Sequence, residues 1–434
     1  MQVISVVAVN NRKNQFFKTF TSYLCFLFHM RQIIIVLIFL LFEWYAFQAI
    51  RTVTKQQWVY VAFWILCGLV VANMTYQFNA GPKSQNLTPM RSYAIGFMMT
   101  LLVFDLVIIL FLFGEDLYRL VYGVGRKIFS SENSTSFFPS RRKMISQIAL
   151  GMAALPMAGM IYGMIRGKYN YRVIKHSLVF PDLPEAFDGY QITQISDIHS
   201  GSFDNPEKIA YAVDLINQQN SDVILFTGDL VNNEATEMLP WMDTFSKLKA
   251  PEGVFSILGN HDYGDYIPWE SEAAKEANLD HLKAIQKEIG FELLLNEHRF
   301  LEKNGEKIAL VGIENWGAGG FKKAGDLQKA VDGLSKEEFK ILMSHDPSHW
   351  DAQVINDDKH FHLTLAGHTH GMQFGIEIPG WIKFSPVQWR YPRWAGLYEE
   401  KGQILHVNRG FGFLAYPGRV GIWPEITVIE LKRG

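Results

Sequence analysis

The chain has 434 residues, 48% of them hydrophobic, and a formal net charge of −2. That length exceeds one average domain and predicts at least two units. The near-neutral balance excludes a nucleic-acid-binding polyelectrolyte, and nothing suggests sequence-specific nucleic-acid binding. The averages conceal a boundary close to Ile165: apolar, aromatic-rich runs crowd the segment before it, and most acidic residues lie beyond it. Both cysteines, Cys25 and Cys67, lie in the front segment. The remainder therefore has no disulfide framework and no thiolate metal ligand.

In chain order, residues 1–29 fit poorly with the long apolar runs after them, and Met30-Arg31 before such a run reads as a natural start. We treat 1–29 as a doubtful N-terminal extension. Crossing the hydrocarbon core takes about twenty mainly apolar residues in a helix. Four runs qualify, at 32–50, 58–76, 93–113 and 144–165. They predict an all-α transmembrane region of about four helices over 30–169. Trp44, Tyr45, Trp58 and Tyr76 near the run ends suit interfacial aromatic belts. Glu43 and Asp105 lie within the runs. Such acids mark a relay or transport path in some proteins; the alternative puts Glu43 near an interface and gives Asp105 a hydrogen bond between helices.

The Lys and Arg totals on the two sides barely discriminate an orientation under the positive-inside rule. The local pattern says more. "SRRKMISQIALGMAALPMAG" (140–159) resembles a twin-arginine export signal, with paired arginines before a small-residue-rich apolar segment. It predicts Arg141 and Arg142 in the cytoplasm and everything after Ile165 outside it, in a multi-pass protein of the cell membrane with an extracytoplasmic C-terminal part.

From about Tyr171 the pattern turns to short β-type runs alternating with polar helical segments. Strands are predicted at 190–196, 222–227, 253–258, 307–313, 340–344, 362–366, 404–408 and 425–431, and helices at 206–219, 235–249, 270–289 and 326–334. The alternation predicts a layered α/β domain over 170–434. Chemistry-bearing residues come just after the strands: Asp197 and His199 in "QISDIHSG", Asp229 in "LFTGDLV", Asn260, His261 and Asp262 in "SILGNHDYG", His345 in "ILMSHDP", and His368 and His370 in "TLAGHTHG". In layered α/β folds, ligand sites gather beyond the carboxyl ends of strands. Five loops thus deliver carboxylate, imidazole and amide groups to one rim. A lone D-x-H or G-D is weak, but all five in this order point to a metal centre.

This series of D-x-H, G-D, G-N-H-D, H and G-H-x-H resembles the calcineurin-like metallophosphoesterase family across 170–434, and "GHTHGMQ" with the ending "NRGFGFLAYPGRVGIWPEITVIEL" is similar to its bacterial membrane-associated or exported branch. Met372 stands where that branch usually has a second glycine. The resemblance implies a layered β-sandwich flanked by helices. It implies one metal on Asp197, His199, Asp229 and His370, and a second on Asp229, Asn260, His345 and His368, with Asp229 shared. It further implies phosphoester, above all phosphodiester, hydrolysis by a hydroxide bridging the pair. Ligands of nitrogen and oxygen without sulfur suit manganese, iron or zinc as two divalent ions.

His261 is the candidate for protonating the leaving-group oxygen, with Asp262 orienting its ring. Arg419 is left outside the site, and His281, His298 and His349 are expected at the surface. Substrate classes that a site at a bilayer meets are lipid head groups, wall polymers and nucleotides. The alternative function is a membrane-tethered binding or scaffold protein on an inactive phosphoesterase fold, against which stands the full set of expected ligands.

Overall fold

The computed structural model describes residues 34, 36–80, 87–129, 139–378 and 380–434. The doubtful extension 1–29, with Cys25, lies outside the described residues. The chain divides into two compact units, Met1–Ala72 with Met99–Met157, and Asn73–Met98 with Ala158–Gly434.

The first unit is built from α1 (Val36–Val53), α2 (Gln57–Thr75), most of α3 (Pro89–Phe129) and most of α4 (Pro139–Ile165). All four are long and apolar enough to cross a membrane. α3 is the outlier, with 41 residues. At 1.5 Å per residue it is about 60 Å long, roughly twice a hydrocarbon core. It outruns the apolar run 93–113 because the mixed polar and apolar continuation to Phe129 carries no proline to stop it. Small residues let the helices approach: Ala46, Ala49, Ala149 and Ala153 pack with Ile108 and Leu112.

Glu43 and Asp105 are both fully buried in this unit, and the Cys67 thiol donates to Glu43 Oε2 at 3.0 Å. The hydrogen bond between helices expected of Asp105 is thus found at Glu43, which is buried in the bundle. Arg142 pairs with Glu115 (2.6 Å) and Asp116 (2.8 Å), Tyr45 donates to Asp116 (2.6 Å), and Arg141 lies 4.2 Å from the Tyr118 ring centre. Both arginines of the pair at 141–142 are thus engaged in packing the bundle.

The second unit carries the layered α/β sandwich. Its strands are β1 (Arg172–Phe180), β2 (Gln191–Ile195), β3 (Val223–Phe226), β4 (Val254–Ser256) and β5 (Phe291–Leu293). Next come β6 (Glu297–Lys303), β7 (Glu306–Gly312), β8 (Lys340–Met343) and β9 (Leu363–Ala366). The last are β10 (Ile376–Ile378), β11 (Ile382–Phe384), β12 (Gly396–Glu400), β13 (Gln403–Val407) and β14 (Glu425–Arg433). One sheet runs β1-β14-β2-β3-β4-β5 and the other β12-β13-β9-β8-β7-β6, while β10 and β11 form a separate hairpin. β2 to β5 pair in parallel, as do β7-β8-β9-β13. Parallel strands covered on both faces read as continuous apolar runs, and β3 and β8 are buried at every position.

The two sheets meet through Ile192, Leu225, Phe255, Leu310, Ile341 and Leu365. α5 (Pro206–Asn217) and α7 (Glu272–Glu288) cover the outside of the first sheet through Ile209, Val213, Leu282 and Ile285; the short α6 (Met242–Phe245) adds Phe245. α8 (Leu327–Ala330) and α9 (Ser348–Ala352) cover the second through Leu327, Ala330 and Trp350. The expected helix-flanked β-sandwich is what forms. The loops after β2, β3, β4, β8 and β9 carry the chemistry-bearing residues to one rim.

Candidate metal centre

Five of the seven expected ligands sit at positive φ: Asp197 (53°), His199 (50°), Asp229 (62°), His368 (71°) and His370 (51°). Each costs of order 1–3 kcal/mol for a residue with a Cβ, and such strain concentrates at functional sites. Here the left-handed ligands all lie in the loops after β2, β3 and β9.

The structure brings the ligand atoms together. Asp197, His199 and His370 offer atoms all within 4.8 Å of one another, and so do Asp197, Asp229 and His345. His370 Nε2 lies 3.2 Å from Asp197 Oδ1 and 3.0 Å from His199 Nε2. Asp229 Oδ2 lies 3.5 Å from His199 Nε2 and 3.2 Å from His345 Nε2, between the two clusters. Asn260 and His368 face each other alongside, with Asn260 Oδ1 2.7 Å from His368 Nδ1. The His345 and His368 ring centres are 5.2 Å apart. Asn260 donates through Nδ2 to Tyr266 Oη (2.7 Å), which leaves its carbonyl oxygen toward the site.

These residues fit a metal. His199 Nδ1 and His345 Nδ1 donate to Asn232 Oδ1 (3.1 Å) and to the Thr227 carbonyl (2.7 Å). That leaves the Nε2 atoms for the interior, as metal-binding histidines are held. The buried His345 Nε2 faces the Asp229 carboxylate, and two imidazole nitrogens 3.0 Å apart are best satisfied by a shared cation.

The electrostatics agree. Burial pushes the Asp197 and Asp229 carboxyls up, but the neighbouring imidazoles outweigh it and hold both below the usual carboxylate range. Burial alone would lower His345; Asp229 and Asp197 overcome it and push the ring up to about 10. Burial lowers His199 and His368, more than offsetting their carboxylate neighbours.

The structure corrects the role expected of Asp262. Asp262 does not orient His261. Its buried carboxylate accepts from the backbone N–H groups of Asp229 (3.0 Å), Leu230 (2.8 Å) and Gly259 (2.8 Å), so it clamps the β3 and β4 loops together. Burial, then the Asp229 charge, push it up to about 7. The His261 ring is held instead by the Asn232 carbonyl, 2.8 Å from Nδ1, while its backbone N–H donates to Asp229 Oδ1 (2.8 Å). Burial lowers the His261 ring as well.

Arg419 is fully buried and donates to the carbonyls of Arg409 (2.8 Å), Gly410 (3.1 Å) and Gly412 (2.8 Å), with Nη2 3.3 Å from His370 Nδ1. It shapes the loop behind a candidate ligand. His281 is exposed as expected, while His298 is half-buried, with Nδ1 2.9 Å from the Ala330 carbonyl. His349 is not at the surface: it is buried, bonded to Ser344 Oγ (3.0 Å) and Gln353 Oε1 (3.0 Å). Polar partners beside its own short helix and at the preceding strand end satisfy both ring nitrogens.

Sequence reasoning missed Asn232, Asp346, Tyr391 and Tyr266. Asp346 Oδ2 lies 3.4 Å from His368 Nε2, and Tyr391 Oη lies 2.8 Å from that same nitrogen. Asp346 follows His345 directly and Asn232 follows Asp229 by three, which is the signal that could have found them. Tyr391 has no such marker.

Comparison with known proteins supplies the rest. Residues 190–372 match the family model described as "Calcineurin-like phosphoesterase", and residues 30–168 match "Probable Calcineurin-like phosphoesterase, transmembrane domain". The chain is 31% identical over 303 residues to uncharacterized metallophosphoesterase YkuE of Bacillus subtilis (strain 168), covering 68% of this chain and 98% of that protein. It is 27% identical over 295 residues to phosphodiesterase YaeI of Escherichia coli (strain K12), covering 67% and 99%. With the transmembrane protein with metallophosphoesterase domain of Danio rerio it shares 27% over 281 residues, 63% of this chain and 60% of that one. The chain thus belongs to the calcineurin-like metallophosphoesterases, metal-dependent phosphoester hydrolases, and carries four helices of membrane-spanning length ahead of the sandwich.

Proposed function

We propose that this protein is a membrane-anchored phosphodiesterase in which Asp197, His199, Asp229 and His370 hold one divalent cation and Asp229, Asn260, His345 and His368 a second. The observation that carries this reading is Asp229, whose one carboxylate oxygen reaches both His199 (3.5 Å) and His345 (3.2 Å). Manganese, iron and zinc suit the nitrogen and oxygen donors. When bound, such a pair supplies Lewis-acid stabilisation of the phosphoryl oxygens and a water nucleophile deprotonated near neutral pH. Preference for diesters is supported by the name of the relative YaeI.

The chain's own residues do the remaining work. The Asn232 carbonyl takes the His261 Nδ1 proton in a hydrogen bond and leaves Nε2 to exchange a proton with the leaving oxygen. The negative ester beside the ring favours its charged form. The stretch 140–159, with paired arginines before a small-residue-rich apolar segment, supports a cytoplasmic Arg141–Arg142 and an extracytoplasmic catalytic domain. A C-terminal reporter active only in the cytoplasm would overturn that orientation.

The reading as a whole is tested on the purified full chain by metal analysis and by hydrolysis of bis(p-nitrophenyl) phosphate before and after chelation. About two ions per chain and activity lost on chelation are expected; full turnover by the metal-free protein would end it. The role of His261 is tested separately. His261→Ala should keep both ions and slow an alkyl ester by about 10²–10⁴-fold, and an activated aryl ester far less. Equal losses for both esters with metals retained would remove the general-acid role and leave the ligand assignment standing.

A further inference from the structure

The loop bearing His368 and His370 does not end at the metal centre. It runs on through Met372 into the β10–β11 hairpin and the turn ending at Trp389. Along it are exposed Met372 (58%), Ile376 (54%), Ile378 (42%), Trp381 (77%) and Trp389 (79%). Beyond Ile165, these are five of the nine large apolar side chains that stand exposed among the described residues. Scattered single apolar residues need no explanation, but five within one eighteen-residue segment do. Met372 also takes a left-handed conformation (φ 54°) that glycine adopts without strain, and does so with its side chain in solvent.

A membrane helix lies beside this patch. Phe374 bridges to Val420, and Gly375 N–H donates to the Val420 carbonyl at 2.9 Å. Val420 in turn packs on α4: a Cβ at Gly163 would lie 3.0 Å from one of its methyls, and a Cβ at Gly159 3.5 Å from the other. Tyr416 donates to the Met160 carbonyl at 2.6 Å, completing the seat on the last turns of that helix. Gly159 is six residues inside the apolar span that ends at Ile165, about 9 Å along the axis. The interfacial layer on each side of a hydrocarbon core is only about 5–8 Å thick. The root of the hairpin is therefore at the level of the head groups or deeper. Tryptophan is the residue enriched at that depth.

We infer that the segment Met372–Trp389 docks on the bilayer in which α4 is embedded, and that the metal centre takes a phosphate ester carried on a membrane lipid. The second half rests on the phosphodiesterase reading. The link between the two is short and stiff. Only five residues separate His370 from Ile376, and Ser385 Oγ at the far end of the hairpin donates back to the Gly371 carbonyl at 2.8 Å. A hairpin tied at both ends to the ligand loop would fix that loop, with His368 and His370, relative to the surface on which the hairpin docks. The ester phosphorus of a lipid lies in that layer while its acyl chains stay in the hydrocarbon. The chemistry recognised is thus a head-group phosphoester with an apolar tail.

The test uses the full chain in phosphatidylcholine–phosphatidylglycerol vesicles. Trp381→Cys carries a bimane label, Tyr211→Cys serves as the exposed comparison, and the labelled parent gives the background. Quenching of position 381 by a lipid bearing a doxyl group near the head, with little quenching by aqueous iodide, is expected; position 211 should show the reverse. Iodide quenching at 381 without lipid quenching would overturn the bilayer contact. In parallel, a diacyl fluorogenic phosphodiester in the vesicles is compared with its deacylated form at equal bulk concentration. The acylated ester should be cleaved at least about tenfold faster, because anchoring raises its effective concentration at the site. Trp381→Ser with Trp389→Ser should abolish that preference. Equal rates, or preference for the deacylated ester, would overturn the lipid substrate. Cleavage of neither ester would overturn the phosphodiesterase reading instead, and is told apart because quenching requires no turnover.

Discussion

Asp229 joins both halves of the site: one oxygen lies near His199 and His345, and the other accepts the backbone N–H of His261 at 2.8 Å. Asp229→Ala should therefore be the most damaging single change among the seven. Metal content should fall below two ions per chain, and activity by more than the roughly 10–100-fold typical of residues that only support a ligand. Retention of both ions would remove Asp229 from the shared position. His345 gives a pH test. In the metal-free protein its ring, pushed up to about 10, stays protonated at neutral pH, whereas ligation requires the neutral ring. Binding therefore releases a proton, and affinity rises by up to about tenfold per pH unit from 6 to 9. Calorimetry in buffers of different ionisation enthalpy measures the released proton. Affinity independent of pH over that range would exclude His345 as a ligand.

At the scale of elements, the loops converge because glycines let them cross. A Cβ on Gly367 would collide with Ser196 Oγ and Asp197 Oδ2, so the loop after β9 passes directly over the loop after β2. Gly367→Ala should push Asp197 off its position, cost about 1–3 kcal/mol in overpacking and lower metal occupancy. A thermal melt and metal analysis of the same sample check both effects; unchanged occupancy would show that the crossing can relax. The same scale shows what could be read from the chain. β3, β8 and β9 were legible because burial on both faces leaves them apolar but for Lys340 and Thr364. β6 ("EHRFLEK") and β12 ("GLYEE") were not, because at sheet edges charged residues are tolerated and the apolar pattern fades. The segment 235–249 reads as one helix, yet Pro240 breaks it into a 3₁₀ stretch and the four-residue α6.

For the whole molecule, metal binding and folding of the sandwich should be linked. A ligand that binds only the folded state stabilises it by about 2.7 kcal/mol at one hundred times its dissociation constant. Chelation should therefore lower the melting temperature of the detergent-solubilised chain, and readdition of metal should restore it. An unchanged melt on complete metal removal would mean that the metals contribute nothing to stability.

By itself the sequence determined the composition of this protein: four apolar spans, an alternating α/β domain, and seven metal-type side chains placed after strands. Those features are local, because length, periodicity and a residue's position after an apolar run are written within a few residues of one another. Only the tertiary structure decided how they act. It gave Asp262 to the backbone and His261 to the Asn232 carbonyl, set Asp346 and Tyr391 against His368, and seated Val420 on Gly159 and Gly163. Each of these contacts joins residues from different loops or elements, most of them far apart in the chain. Their partners are chosen by which atoms the fold leaves buried and unsatisfied, and no short stretch of sequence records that choice.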